Sequence, residues 1–107
     1  MSQRKKKIRN RFCEDVFKRD GYQCVFCNEV DHLDAHHITD RNEMPNGGYV
    51  KENGITLCSK HHMMAEQFHI SGGTKWASGM HPEDLYRLIG SSKEWATQKS
   101  ERLGQEF

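Results

Sequence analysis

Two stretches decide the fold: Leu33-Asp34-Ala35-His36-His37-Ile38 and, after a polar interval, Asn53-Gly54-Ile55-Thr56-Leu57-Cys58-Ser59-Lys60-His61-His62. The first has the pattern of a half-buried strand that ends on two adjacent histidines. The second contains a short strand, Ile55 to Cys58, after which Ser59 can cap a helix running to about His69, where Gly72-Gly73 ends it. Between them, residues Asp40 to Gly54 are expected to form a loop, because Pro45-Asn46-Gly47-Gly48 is turn chemistry.

Outward from this centre the chain is mostly helical. Ile8, Phe12 and Val16, with Cys13 and Phe17 beside them, fall at helical spacing and predict an amphipathic helix over Ile8 to Arg19, stopped by Asp20-Gly21. Tyr22 to Phe26 is a further β-like stretch. His81-Pro82-Glu83 opens a helix that closes at Gly90, with His81 as its cap, and Ser91-Ser92-Lys93-Glu94 resembles a capping box for a last helix toward Leu103. The reading is an α+β chain of one domain over residues 1–107, with a basic arm at 1–11, a core at 19–69 and C-terminal helices at 81–104.

A chain of 107 residues with 35% hydrophobic residues builds a modest core, and its mean hydropathy is -0.92. A metal or disulfide staple would compensate. No apolar run approaches the ~18 residues of a membrane span, and the start is basic without the apolar stretch of a signal peptide. A reducing cytosol is therefore expected, where closely spaced cysteines are metal ligands rather than disulfides. Cys24-x-x-Cys27 and, thirty-one residues on, Cys58-x-x-His61 have the gaps that let tight turns aim paired side chains at one tetrahedral zinc. Cys13, in an apolar helical stripe, is expected to pack in the core.

The net charge of +1 hides an asymmetry. Residues 1–19 carry eight Lys/Arg against two acidic residues, and the remainder carries eight against thirteen. The block Arg4, Lys5, Lys6, Lys7, Arg9 and Arg11 suits contacts to nucleic-acid phosphates.

Six histidines remain once one completes the zinc set. His62 follows the zinc pair directly and is presented on a different face of the same braced helix. Glu66 and His69 lie four and seven residues further along that face. If this face binds a metal, Glu66 is a candidate ligand or a hydrogen-bonding partner of the ligands, and otherwise an ordinary solvent carboxylate; His69 is expected to meet phosphate or solvent. His32 is expected in a turn.

Taken in order, Cys24-x-x-Cys27, Asp34-Ala35-His36-His37-Ile38, Asn53-Gly54-Ile55-Thr56-Leu57-Cys58 and His61-His62 resemble the HNH endonuclease family, of the zinc-containing, phage type, over about residues 19 to 69. The resemblance implies a ββα-metal core with a structural zinc site and a metal-dependent cleavage of DNA phosphodiester bonds. It implies His37 as the general base, His36 and His62 as ligands of a catalytic divalent metal, and Asn53 as the residue that fixes the loop opposite His37. Magnesium or manganese is expected there, since soft ligands are few. The family commonly has Cys-x-x-Cys-His where this chain has Cys58-x-x-His61-His62. If His62 completed the zinc set, the catalytic assignment would shift by one, although the two-residue gap favours His61. DNA is the implied partner, with a second copy or phage packaging proteins as assembly partners, in the host cytoplasm if phage-encoded. The alternative function is a zinc-stabilised DNA-binding or adaptor module with a vestigial nuclease site.

Overall fold

The computed structural model describes residues 3–106. Its elements are α1 (Gln3–Arg19), β1 (Leu33–His37), β2 (Gly54–Cys58), α2 (Ser59–Ile70), α3 (Pro82–Leu88) and α4 (Lys93–Glu106), and three 3-10 turns occupy the interval between the strands. β1 and β2 form an antiparallel ribbon in which His36 faces Ile55 and His37 faces Gly54. All five residues of β2 are buried, because helices cover both sides of the ribbon. Alternation along β1 sends His36 toward α2 and His37 toward α1. The two adjacent histidines thus report to opposite faces: the His36 ring lies 5.2 Å from that of His62, and the His37 ring stacks 4.6 Å from Phe12.

The close approach of α1 depends on Gly54. A Cβ there would meet Val16 Cγ2 at 2.5 Å and Phe12 Cε1 at 2.7 Å. The end of α1 is clasped to the same strand. Arg19 donates to the carbonyls of Lys51 (2.6 Å) and Gly54 (2.7 Å) and forks onto Asp20, whose other contact is the Thr56 amide at 2.9 Å. The buried side chains of Ile38, Ile55, Leu57, Ala65, Leu85 and Ala96 join ribbon, α2, α3 and α4 in one core.

Several expected boundaries shift. The first helix begins by Gln3 rather than Ile8, so the basic stretch from Arg4 to Arg11 is helical, its cations exposed along α1; Met1 and Ser2 of the arm lie outside the described residues. Tyr22 to Phe26 is not a strand. Gly21 and Tyr22 both adopt left-handed φ (72° and 56°), and the Tyr22 amide bonds back to the Phe17 carbonyl at 2.9 Å. This closes α1 in the manner of a Schellman turn, and Cys24 to Cys27 then forms a tight turn closed by Asn28 N–H to the Cys24 carbonyl at 2.9 Å. Cys58, not Ser59, stands at the cap position of α2, and it makes no side-chain cap. The expected box before α4 is replaced by a simple cap: Ser92 Oγ accepts the Trp95 amide, while Ser91 Oγ donates to the Glu52 carbonyl. α4 continues to Glu106 instead of ending at Leu103. His81 does cap α3, its Nδ1 accepting the Glu83 amide at 3.1 Å.

Candidate active site

The turn at Cys24–Cys27 and the start of α2 bring three thiols and one imidazole together. Cys27 Sγ and Cys58 Sγ are 3.7 Å apart, and His61 Nδ1 lies 3.2 Å from Cys58 Sγ and 3.7 Å from Cys24 Sγ. A tetrahedron with bonds of about 2.0–2.3 Å has edges of about 3.3–3.8 Å, close to these separations, so the donor set fits one zinc ion. The four cysteines form no disulfide. Burial pushes the Cys24 thiol up, but the main-chain amides of Cys58, Phe26 and Cys27 outweigh it and bring the thiol below its ordinary value, favouring the thiolate that zinc requires. Phe26 stacks on the His61 ring at 5.3 Å. His61 and not His62 meets the thiols, because α2 rotates the next side chain about 100° away, toward β1.

A second group forms where α2 crosses the ribbon. One ring nitrogen each of His36 and His62 and a Glu66 oxygen lie within 4.8 Å of one another. Glu66 Oε1 is 3.2 Å from His62 Nε2 and 3.1 Å from His36 Nδ1. The latter approach lacks hydrogen-bonding geometry, and His36 Nδ1 is buried without a hydrogen-bond partner. A buried nitrogen with no hydrogen bond, facing a carboxylate and a second imidazole, is the arrangement of donors that share a cation. Burial keeps His36 below its ordinary pKa, while Glu66 is lowered to about 2 by the His36 contact, aided by the positive potential of His36, His62 and His69. A neutral imidazole at His36 and an ionised carboxylate at Glu66 are protonation states that bind a divalent metal.

Sequence reasoning did not single out Asp34 as a site residue. Its Oδ2 lies 3.2 Å from His62 Nδ1, where it can accept a hydrogen bond from Nδ1–H; in that tautomer Nε2, 3.2 Å from Glu66 Oε1, is the nitrogen that could hold a metal beside Glu66. The available signal was the strand period, which sets Asp34 on the same face as His36. His69, expected to meet phosphate or solvent, instead has its Nε2 3.0 Å from the His37 carbonyl and its ring stacked on His36 at 5.3 Å. It has the reach to do this because one turn of α2 separates it from Glu66.

His37 lies against α1, its ring stacked on Phe12 and met edge-on by Tyr49 at 4.8 Å. Its Nε2 is enclosed without a partner. Burial first, then the neighbouring His36 and Arg41, lowers its pKa to about 4, so the ring is neutral at ordinary pH. Beyond it the chain is pinned by Asn53, which is fully buried. The Asn53 amide donates to the carbonyls of Thr39 (3.0 Å) and Gly48 (3.2 Å), and its oxygen accepts from Thr39 N–H (3.0 Å) and the Tyr86 hydroxyl (2.7 Å). The Thr39 hydroxyl in turn donates to the Tyr86 oxygen at 2.6 Å. Tyr86 was not singled out by its sequence. Nothing in its local sequence reports that α3 carries it onto Asn53.

A two-stranded ribbon and a helix bearing a Cys3His group and a second His2Glu group define a ββα-metal core. Residues 24–71 match the sequence model of the family described as HNH endonuclease, a match that spans the ribbon, α2 and both groups. No curated protein and no solved structure matches the chain.

Proposed function

We propose that the protein is a metal-dependent DNA endonuclease that hydrolyses phosphodiester bonds, with His37 as general base and Asn53 holding the segment behind it. The observation that carries the reading is the pairing of two unsatisfied histidine nitrogens across one strand: His36 Nδ1 among metal-type donors, and a neutral His37 on the adjoining residue. Since His37 Nε2 is sealed against aromatic rings, Nδ1 is the nitrogen left to take a proton from an attacking water. His36, His62 and Glu66 would hold the catalytic metal, magnesium or manganese by the hardness of the carboxylate, and Cys24, Cys27, Cys58 and His61 the structural zinc. A divalent ion supplies positive charge where negative charge builds on phosphate oxygens during hydrolysis.

Arg4, Lys5, Lys6, Lys7, Arg9 and Arg11 are exposed on α1 and would contact phosphates of duplex DNA. One site cuts one strand per engagement, so a double-strand break would take two chains or two visits. A part in phage DNA processing, in the host cytoplasm, rests on the likeness to phage members of the family; no helix of the described residues is long and apolar enough to cross a membrane.

The test is cleavage of supercoiled plasmid by the purified chain with added magnesium or manganese, with 5′-phosphate and 3′-hydroxyl ends expected. His37→Ala should lose ~10²- to 10⁴-fold in rate while keeping its zinc and DNA affinity. His62→Ala should raise the metal concentration needed. Equal cutting by wild type and His37→Ala, or none by either, would replace this reading with a zinc-stabilised DNA-binding module.

A further inference from the structure

On the far side of His37 from the metal donors, α1 and α4 form the walls of a cleft of about 270 Å³ whose floor is the turn from Tyr49 to Glu52. Four cations from three separate elements line it: Arg11 of α1, Lys51 of the turn, and Lys99 and Arg102 of α4. Only Asp15 and Glu52 oppose them among the lining residues. This positive excess stands out because the chain beyond α1 is acidic on balance. The cleft is also tied to the candidate active site by covalent and packing continuity. Its floor runs into Asn53 and Gly54, the partner of His37 in the ribbon, and Tyr49, which lines the cleft, sets its ring edge against the His37 ring at 4.8 Å.

We propose that this cleft is a second phosphate-binding site, which grips the backbone of duplex DNA a short way along the strand from the phosphate presented to His37. The identity of the ligand rests on the endonuclease reading; the site itself rests on the convergence of Lys51, Lys99 and Arg102 with α1. Such contacts fix register without reading sequence. They also explain how a chain of this size holds one strand steady at a single site, with the basic face of α1 on one wall and α4 on the other.

The test is the salt dependence of binding of a short fluorescein-labelled duplex by the zinc-loaded chain without added divalent ion, read by anisotropy. Lys51→Gln/Lys99→Gln/Arg102→Gln should weaken binding and flatten the plot of log affinity against log salt by about 0.9 for each phosphate that the variant no longer neutralises. Glu52→Gln, which removes an opposing carboxylate, should tighten binding, a change that a merely structural role would not produce. Lys60→Gln/Lys75→Gln, outside the cleft, is the comparison. An unchanged slope in the triple variant, or the same weakening per charge in the comparison, overturns the cleft. Plasmid cleavage by wild type reports on the endonuclease reading separately: cleavage with an unchanged slope removes the cleft alone, whereas no DNA binding and no cleavage removes both.

Discussion

Asn53 shows what a single side chain is asked to do here. Its amide has two donor and two acceptor positions and uses all of them on groups from three parts of the chain: Thr39, Gly48 and Tyr86. An aspartate, acceptor-only when ionised, would turn a carboxylate toward two carbonyls. Asn53→Ala should cost about 2–4 kcal/mol, since it orphans several buried polar groups at once; the urea midpoint measures this. Tyr86, 4% exposed, has its pKa pushed up to about 12 by burial, against a lowering by the Thr39 hydroxyl. The raised value means the fold favours the neutral phenol. That stability is intact below about pH 10 and falls, by roughly 2–3 kcal/mol, as pH climbs to about 12. The stability advantage of wild type over Tyr86→Phe should therefore shrink across that window in denaturant titrations at stepped pH. In the proposed site Asp34 would act through His62 rather than on substrate. Asp34→Asn should weaken manganese binding, followed by the resonance of the free ion, by ~10- to 100-fold with zinc content unchanged. Unaltered manganese affinity would show that the 3.2 Å approach of Asp34 to His62 is incidental.

At the scale of elements, the ribbon works because its two faces have different tenants. One-residue alternation gives His36 to α2 and His37 to α1, so the proposed metal ligand and the proposed base are neighbours in sequence yet are set by different helices. The α1 side has no slack at Gly54. Gly54→Ala should destabilise by about 1–3 kcal/mol, because Val16 and Phe12 must retreat, and Phe12 would carry the His37 ring with it. Adding Val16→Ala should return part of that stability, a non-additivity that thermal unfolding of the two single variants and the double can resolve. Strict additivity would mean that the helix moves as a body instead. The α2 side is indexed by the Cys3His group, whose last member, His61, precedes His62 directly.

For the whole molecule, the zinc group joins the turn after α1 to the junction of β2 and α2. Removal of zinc by a strong chelator at neutral pH should abolish cooperative unfolding and also disperse His36, His62 and Glu66, since binding energy of the ion is folding energy in a small domain. Cys58→Ser should do the same without chelator. A chelated protein with an unchanged near-ultraviolet circular dichroism spectrum would show that the packed core suffices alone.

Short-range patterns settled much of this. The Cys-x-x-Cys and Cys-x-x-His gaps, the adjacent histidines on a period-2 stretch, and the four-residue step from His62 to Glu66 are properties of local backbone geometry, so they were legible before any fold was in view. The termination of α1 was legible too, but not that Gly21 and Tyr22 would turn left-handed and convert an apparent strand into a ligand turn, since β-like composition does not encode φ. Outside the two expected metal groups, long-range contacts were not legible. Tyr86 reaches Asn53 across thirty-three residues, Asp34 reaches His62 across twenty-eight, and Lys99 and Arg102 share a cleft with Arg11. Each depends on how helices dock on a ribbon, which is fixed by packing of the core and by no pattern within a single segment.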